Sequence, residues 1–156
     1  MAFAMVLCSS SPAQEMFVPA HPAPKREVRG VWITTLGGLD WPKTKASSPQ
    51  GMEQQKQELT EMLDQLQALR INTIFLQTRV RGSVIYPSQI EPWDVALTGQ
   101  YNRSPGYDPL AFAITEAHRR GMELHAWVVT IPCFKVAQAK RIGRKSLAYT
   151  HPSWLK

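Results

Sequence analysis

The hydrophobic pattern of the chain alternates between a period typical of buried strands and one typical of amphipathic helices. Residues 28–35 form a nearly continuous apolar and β-branched run that ends at two glycines, 37–38, which predicts a strand covered on both faces. A Ser-Pro pair at 48–49 then supplies a helix cap and a first-turn proline. Apolar residues follow it at helical spacing, namely Met52, Leu59, Met62, Leu63, Leu66 and Leu69. Residues 71–78 predict a second buried strand.

The second half of the chain repeats this order. A long polar loop leads to an Asp-Pro pair at 108–109, which marks the start of a second helix, and Gly121 is its expected stop. Residues 123–131 predict a third strand. Alternating strands and helices are typical of a parallel α/β sheet with helical crossovers. Ligands of such sheets meet the loops at the carboxyl ends of the strands, here residues 36–48, 79–107 and 131 onward.

The length of 156 residues fits one domain, and 44% hydrophobic with 19% charged residues is typical of a globular protein. No apolar stretch of about 18 residues occurs, so no transmembrane segment is predicted. Three strands cannot close a (β/α)8 barrel, because that fold needs eight strand and helix units and about 250 residues. We therefore expect the chain to be the beginning of a longer fold, incomplete as given.

The first residues predict export from the cytoplasm. A short apolar run and a stretch of small residues make residues 1–13 a predicted signal peptide, which implies a secreted or periplasmic protein. Residues 14–27 contain three prolines, which predicts an extended leader between the signal peptide and the domain. The predicted domain therefore covers residues 28–156. A lipid anchor on Cys8 is the less favoured alternative, because the bulky Leu7 precedes this cysteine.

The net charge of +6 comes from the end of the chain. Cations and acids balance through residue 134, whereas residues 135–156 hold six cations and no acid. That segment has only Tyr149 and Trp154 as stacking groups and no known nucleic-acid-binding motif, so we expect no nucleic-acid partner. The chain has no Gly-x-Gly-x-x-Gly, phosphate-loop or metal-ligand pattern, and neither a cofactor nor a metal is predicted.

The predicted first loop places a carboxylate beside an indole, at Asp40 and Trp41. Such a pair suits a sugar, because the carboxylate accepts hydrogen bonds from hydroxyls while the aromatic face covers the C–H side of the ring. The alternative is a solvated turn acid next to a tryptophan that packs structurally.

Polar and aromatic residues also follow the second and third strands. The alternation of side chains along a strand predicts that Gln77, Arg79 and Arg81 lie on one face of the sheet. From there they could bind a carboxylate or sugar oxygens. The alternative for each arginine is a structural one, in which it ties loops to backbone carbonyls. In the third strand, His125 and Trp127 share a face, and a strand histidine is more often a hydrogen-bonded structural group than a ligand.

Four collinear stretches carry a family resemblance: EVRGVWITTLGGLDWP (27–42), LQTRVRGSVIYPSQIEPWDVALTG (76–99), DPLAFAITEAHRRGMELHAW (108–127) and the closing His-Pro at 151–152. In these stretches the sequence resembles the glycosyl hydrolase-like 10 family of secreted bacterial proteins. The resemblance implies the N-terminal three βα units of a (β/α)8 TIM-type barrel. It also implies a glycoside hydrolase acting on a bacterial cell-wall or other polysaccharide, such as peptidoglycan glycan strands stripped of their peptides. Ser83 and residues 128–134 depart from the family pattern.

Glycoside hydrolysis usually requires two carboxyl groups, about 5–5.5 Å apart for retention or ~6.5–9.5 Å apart for inversion. The acids at predicted strand ends are Asp40, Glu91 and Asp94. Because TIM-barrel glycosidases tend to carry the catalytic carboxylates on later strands, the resemblance places them beyond Lys156. This chain is then expected to supply substrate-binding residues, namely Asp40, Trp41, Gln77, Arg79, Tyr86, His125 and Trp127. The alternative is a non-catalytic carbohydrate-binding or interaction module.

Overall fold

The protein is built on a three-stranded parallel sheet, seen in a computed structural model that describes residues 27–134 and 136–154. The strands are β1 (Gly30–Ile33), β2 (Thr73–Arg79) and β3 (Glu123–Val128), and their spatial order is β1-β2-β3. This architecture confirms the predicted α/β class with parallel strands. The predicted signal peptide, with Cys8, and the leader up to residue 26 lie outside the described residues.

Helices connect the strands and follow the last one. They are α1 (Pro49–Ala68), α2 (Val95–Thr98), α3 (Pro109–Arg119), α4 (Val136–Ile142) and α5 (Leu147–Thr150), with 3-10 turns at Leu36–Gly38 and Pro152–Trp154. Both predicted helix starts are confirmed. The Ser48 hydroxyl accepts a hydrogen bond from the Gly51 N–H, and the Asp108 carboxylate accepts from two backbone N–H groups of the first turn of α3. No helix in the described part of the chain is long and apolar enough to cross a membrane.

The core lies between one face of the sheet and the two long helices, α1 and α3. Alternate residues of β1 and β2 point to this face, and the helices cover them with leucines and alanines. The buried residues of the core include Ile33, Ile74 and Leu76 from the strands and Leu59, Leu63, Ala113 and Ala117 from the helices. The spacing of apolar residues along the sequence therefore predicts which helix faces are buried.

The opposite face of the sheet carries a row of aromatic side chains. Trp32 pairs in register with Phe75 and Phe75 with His125, and the rings stack at centroid distances of 4.7 and 5.3 Å. Trp32 is 59% exposed. The prediction that β1 is covered on both faces is therefore wrong for the described residues, because the long helices pack on one side of the sheet alone.

The polar region after β2 contains a helix that the sequence pattern did not predict. Helix α2 has four residues, too few to show a hydrophobic period. Its start is nevertheless marked by Asp94, whose side chain accepts a hydrogen bond from the Ala96 N–H, and its end by Gly99 at φ 79°. The third strand is also shorter than predicted, since it ends at Val128 rather than residue 131.

Gln55 joins helix α1 to three neighbouring segments, although it is a polar residue with no exposed surface. Its amide nitrogen donates to the carbonyls of Thr44 and Leu97 at 2.8 and 2.7 Å, and its side-chain oxygen accepts from the Tyr107 hydroxyl at 2.9 Å. The Gln55 carbonyl accepts from the indole N–H of Trp41 at 2.9 Å. Gln55 therefore fixes the loop after β1, helix α2 and the segment before α3 relative to α1.

A buried arginine links helices α1 and α3. The Arg120 side chain is 4% exposed and forms ion pairs with Glu116 and with Asp64 of α1, both at 2.6 Å. Hydrogen bonds from Arg119, and then from Arg120, lower the pKa of the Glu116 carboxyl below its usual value. Stability of the α1 and α3 contact is therefore coupled to the ionisation of Glu116.

Replacing Gln55 tests its role as the link between these segments. In Gln55→Leu the two carbonyls and the Tyr107 hydroxyl lose a buried partner, so the free energy of unfolding is expected to fall by about 3 kcal/mol. Gln57→Leu is the matched control, because Gln57 lies on the exposed side of the same helix, and should change stability by about 0.5 kcal/mol or less. Urea denaturation measures the free energy of unfolding of both variants. Equal losses in the two would contradict the linking role of Gln55.

Glu116→Gln tests the coupling of stability to ionisation. A carboxyl whose pKa is lowered by folding stabilises the native state above its unfolded-state pKa, near 4.5, and this contribution disappears as the pH falls through the folded value. The stability difference between wild type and Glu116→Gln should therefore be constant at neutral pH and shrink on acidification below about pH 4.5. Urea denaturation from about pH 7 to about pH 3 measures it; a difference that grows on acidification would refute the coupling.

Candidate functional site

A cavity of about 690 Å³ at the carboxyl ends of the strands lies where the segments after β2 and β3 meet the end of the described chain. Its lining combines charged groups, a thiol, an imidazole and an indole with an apolar wall. The lining residues are Arg79, Ile90, Glu91, Thr130, Ile131, Cys133, Leu147, His151 and Trp154. A concave surface with a few convergent polar groups at this edge is where α/β proteins bind small ligands.

Arg79 and Glu91 form the charged floor of this cavity. Both side chains are 15% exposed, and the Glu91 carboxylate accepts from Nε of Arg79 at 2.9 and 2.8 Å and from its Nη2 at 2.5 Å. The hydrogen bond to Glu91 is the main cause of the raised pKa of Arg79; burial acts in the opposite direction, and the Glu91 charge adds to the rise. The arginine is thus permanently charged and paired.

The remaining nitrogen of Arg79 holds the segment after β3. Nη1 donates to the carbonyls of Val129 and Thr130, while the Val129 N–H returns a hydrogen bond to the Arg79 carbonyl at 3.1 Å. All three guanidinium nitrogens therefore have protein partners. Arg79 thus ties two loops together at the floor of the cavity, and its predicted contact with a substrate stays a prediction.

Gln77 and Asp40 meet at Thr34, the residue directly after β1. The Gln77 side-chain oxygen accepts from the Thr34 hydroxyl at 2.6 Å and from the Thr35 and Leu36 N–H groups at 3.0 and 3.1 Å. The Asp40 carboxylate accepts from the Thr34 N–H at 2.8 Å. These two predicted site residues lie close together and shape the loop after β1, with Gln77 buried and Asp40 half-buried.

Trp41 lies apart from the cavity. Its side chain has no exposed surface, and its indole N–H is bonded to the Gln55 carbonyl on α1. In this structure it offers no ring face to a sugar, because both sides are covered by the core. The structurally packed alternative therefore describes its position.

His125, Trp127 and Tyr86 occupy two different places. His125 lies on the open sheet face, where it stacks on Phe75 and contacts the Glu123 carboxylate at 3.3 Å, and Trp127 meets Trp32 edge to face at a centroid distance of 5.1 Å. Tyr86 is half-buried after β2, near enough to Arg79 to affect its pKa.

Of the residues that line this cavity, sequence reasoning selected Arg79 alone, and those it missed include Glu91, Cys133, His151 and Trp154. His151 and Trp154 stack at a centroid distance of 4.0 Å, and the Trp154 ring is 69% exposed. The His-Pro pair at 151–152 was visible as part of the family resemblance, but no local pattern shows that it returns to the edge of the sheet. Within the described residues no group of three histidine, cysteine or acidic side chains is arranged to hold a metal ion.

The chain turns sharply after β2, so the predicted shared face ends at Arg79. An irregularity in the pairing of β2 with β3 lies between Gln77 and Arg79, and Gly82 adopts φ 76° in the turn that follows. Arg81 therefore lines a separate cavity of about 180 Å³. Residues following all three strands surround it, including Leu36, Ser83, Asp94, Tyr101, Phe134 and Gln138.

The three acids at the strand ends all have hydrogen-bonding partners. Asp94 is 5% exposed, and its two oxygens accept from the Ser83 hydroxyl at 2.5 Å and the Ala96 N–H at 2.7 Å. Glu91 is bound to Arg79, and Asp40 is bound to the backbone of the first loop. Each carboxylate thus has a structural function at this edge.

Glu91→Gln tests the contribution of the cavity floor. Removing the carboxylate charge leaves the Arg79 guanidinium largely buried without its counter-ion, so stability should fall by about 1–3 kcal/mol after allowance for partial exposure. Glu53→Gln is the matched control, because the Glu53 carboxylate pairs with Lys56 while 66% exposed, and should cost about 0.5 kcal/mol or less. Thermal and urea unfolding measure both; an unaffected Glu91→Gln would show that the pair does not hold the two segments.

Comparison with known proteins identifies the family of the chain. Escherichia coli (strain K12) "Glycosyl hydrolase DigH" is 41% identical over 140 residues, which cover 81% of this chain and 32% of that protein. Bacillus subtilis (strain 168) "Glycosyl hydrolase YngK" is 37% identical over 134 residues, covering 83% of this chain and 25% of that protein. The chain thus spans about a third or less of these curated relatives. The Glycosyl hydrolase-like 10 family model matches residues 27–156, and the chain belongs to this family.

Proposed function

We propose that this chain forms the first three βα units of a TIM-type barrel and contributes part of the glycan-binding surface of a glycoside hydrolase. The observation that carries the proposal is the cavity at the carboxyl ends of β2 and β3, in a chain of the glycosyl hydrolase-like 10 family. In barrels of this type the substrate meets the loops at that edge. The proposed substrate is a bacterial cell-wall glycan or a related polysaccharide.

The aromatic wall of the cavity suits a sugar ring. Trp154 is held against His151 on one side and is largely exposed, so its indole can cover the C–H face of a pyranose. The polar edge of the ring would face the Glu91 carboxylate, which Arg79 holds at the floor of the cavity and which has an acceptor position left for a sugar hydroxyl.

We also propose that the catalytic carboxyl pair is supplied by residues other than Asp40, Glu91 and Asp94. The two carboxyl groups must lie on either side of the scissile bond, each with an oxygen directed at the sugar. The three acids instead accept hydrogen bonds from a guanidinium, a buried hydroxyl and backbone N–H groups. Their oxygens support the loops, and the bond cleavage is left to the rest of the enzyme.

The family resemblance and the pattern of residues 1–13 support a secreted or periplasmic location for this function. A cell-wall glycan lies outside the cytoplasmic membrane, so the proposed substrate and the proposed location agree.

Binding of peptide-free glycan strands by the chain tests the proposed surface. Wild type should bind strands prepared from amidase-treated peptidoglycan, and Trp154→Ala should bind them about tenfold more weakly because the stacking face is lost. Leu69→Ala is the control, since Leu69 is an exposed apolar residue directly after α1, outside the cavity. Co-sedimentation measures both; equal binding by wild type and Trp154→Ala would exclude this cavity.

A chimera separates the hydrolase from a non-catalytic module. DigH in which this chain replaces the matched 140 residues should release new reducing ends from the same strands, whereas the chain alone should release none. Hydrolysis by the chain alone would contradict the proposed source of the carboxyl pair. Binding by the chain with an inactive but folded chimera would favour the carbohydrate-binding module.

A further inference from the structure

We propose that the cavity lined by Arg81 binds the carboxylate of an acidic sugar unit, with Arg81 as the residue that selects it. The inference rests on the proposed function, since it assigns a second subsite to the same carboxyl edge of the sheet. It concerns a cavity distinct from the one lined by Arg79 and Trp154.

The turn that carries Arg81 is rigidly built. The Val80 N–H donates to the Ser83 carbonyl at 2.9 Å, and the Gly82 N–H donates to the Val80 carbonyl at 2.7 Å. Arg79 and Val84 close the base of this turn as an isolated antiparallel bridge. The backbone under Arg81 is therefore fixed before any ligand arrives, which reduces the entropy lost on binding.

Arg81 differs from Arg79 in having no anionic partner. All three guanidinium nitrogens of Arg79 donate hydrogen bonds, to Glu91 or to two backbone carbonyls. The Arg81 side chain is exposed and forms no ion pair with any described residue. A guanidinium presents two parallel N–H donors that match the two oxygens of a carboxylate. An unpaired guanidinium at the rim of a cavity is thus suited to a carboxylate ligand.

The other charged groups near the cavity favour an anion. The Arg141 guanidinium lies 5.8 Å from the centre of the Tyr101 ring, and that ring lines the cavity. Asp94 is the acid in the lining, but both of its oxygens already accept hydrogen bonds and it is 5% exposed. The cavity therefore has one cation, Arg81, in its lining and a second, Arg141, beside a lining ring, against one buried and bonded carboxylate.

The lining also suits a sugar rather than a bare ion. Tyr101 and Phe134 supply aromatic surface, while Leu36 and Gly37 close the side nearest β1. Two kinds of sugar bring a carboxylate to such a site: one with an ether-linked lactyl group and one with an oxidised ring carbon. Both share the chemistry that the guanidinium recognises.

Titration with matched pairs of sugars tests this assignment. N-acetylmuramic acid and N-acetylglucosamine differ by a lactyl carboxylate, and glucuronic acid and glucose differ by a ring carboxylate. Wild type should bind the acid of at least one pair about fivefold more tightly than its neutral partner, and the pair that shows the preference identifies the source. The preference should weaken in high salt, because the site is exposed. Calorimetry or ligand-observed NMR measures each affinity.

Substitutions then assign the preference to one residue. Arg81→Gln should abolish the preference for the acid, and Arg81→Lys should retain part of it because the charge remains while the fork is lost. Arg103→Gln removes the same charge from an exposed position in another cavity and should leave the preference intact. Circular dichroism of each variant verifies folding.

The possible failures are distinguishable. Equal affinity of wild type for acid and neutral sugars, or an acid preference that survives in Arg81→Gln, would overturn the Arg81 assignment while leaving the glycan-binding proposal in place. Failure of wild type to bind glycan strands or any of the four sugars would overturn both.

Discussion

The side-chain oxygen of Gln77 holds the first loop onto the second strand, and the geometry of the carboxyl edge depends on this attachment. Strand β1 ends at Ile33, so the hydrogen-bond ladder of the sheet does not hold the residues that follow. Three donors from Thr34, Thr35 and Leu36 converge on the Gln77 oxygen instead. Because the glutamine is buried, leaving this oxygen unpaired would cost more than the bonds themselves gain, and the loop has one favoured position.

A second buried glutamine fixes the same loop from the helix side. Gln55 bonds Thr44 and Leu97, and its own carbonyl receives the Trp41 indole. The loop after β1 is therefore held at its start by the sheet and at its middle and end by α1. The Gln77 side-chain oxygen, the Gln55 side-chain nitrogen and the Gln55 carbonyl replace the regular hydrogen bonding that a loop lacks, which explains how an irregular segment forms a rigid edge.

Local signals in the sequence account for the strands and the long helices. Ser48 and Asp108 mark helix starts because capping acts within three residues, and the apolar spacing of α1 matches the face that is buried. The partners of Trp41 and Arg79 lie beyond the reach of such signals. Asp40 and Trp41 look like one sugar-binding pair in sequence, yet one bonds the loop backbone and the other enters the core.

Local sequence signals also cannot show that Arg79 and Arg81 have different surroundings. Period-two alternation predicts a shared face only while a strand continues, and β2 ends at Arg79, before the turn at Gly82. Beyond that point the function of each arginine depends on which acid lies near it. Glu91 comes from a loop twelve residues away and neutralises Arg79, and no described acid reaches Arg81.

The excess positive charge at the end of the chain lies partly at the same edge of the sheet. Part of it is packed onto the loops of the carboxyl edge: Lys145 donates to the Ser88 carbonyl at 3.2 Å, and Arg141 lies over the Tyr101 ring. These cations therefore add to the field at the edge where the cavities open, rather than forming a separate solvated arm. A positive edge attracts an anionic polymer of any kind at long range, but cavities walled by indole and phenol rings admit a sugar unit at short range. Under the proposed function, the positive charge draws the glycan to this edge and the ring-walled cavities select its sugar units.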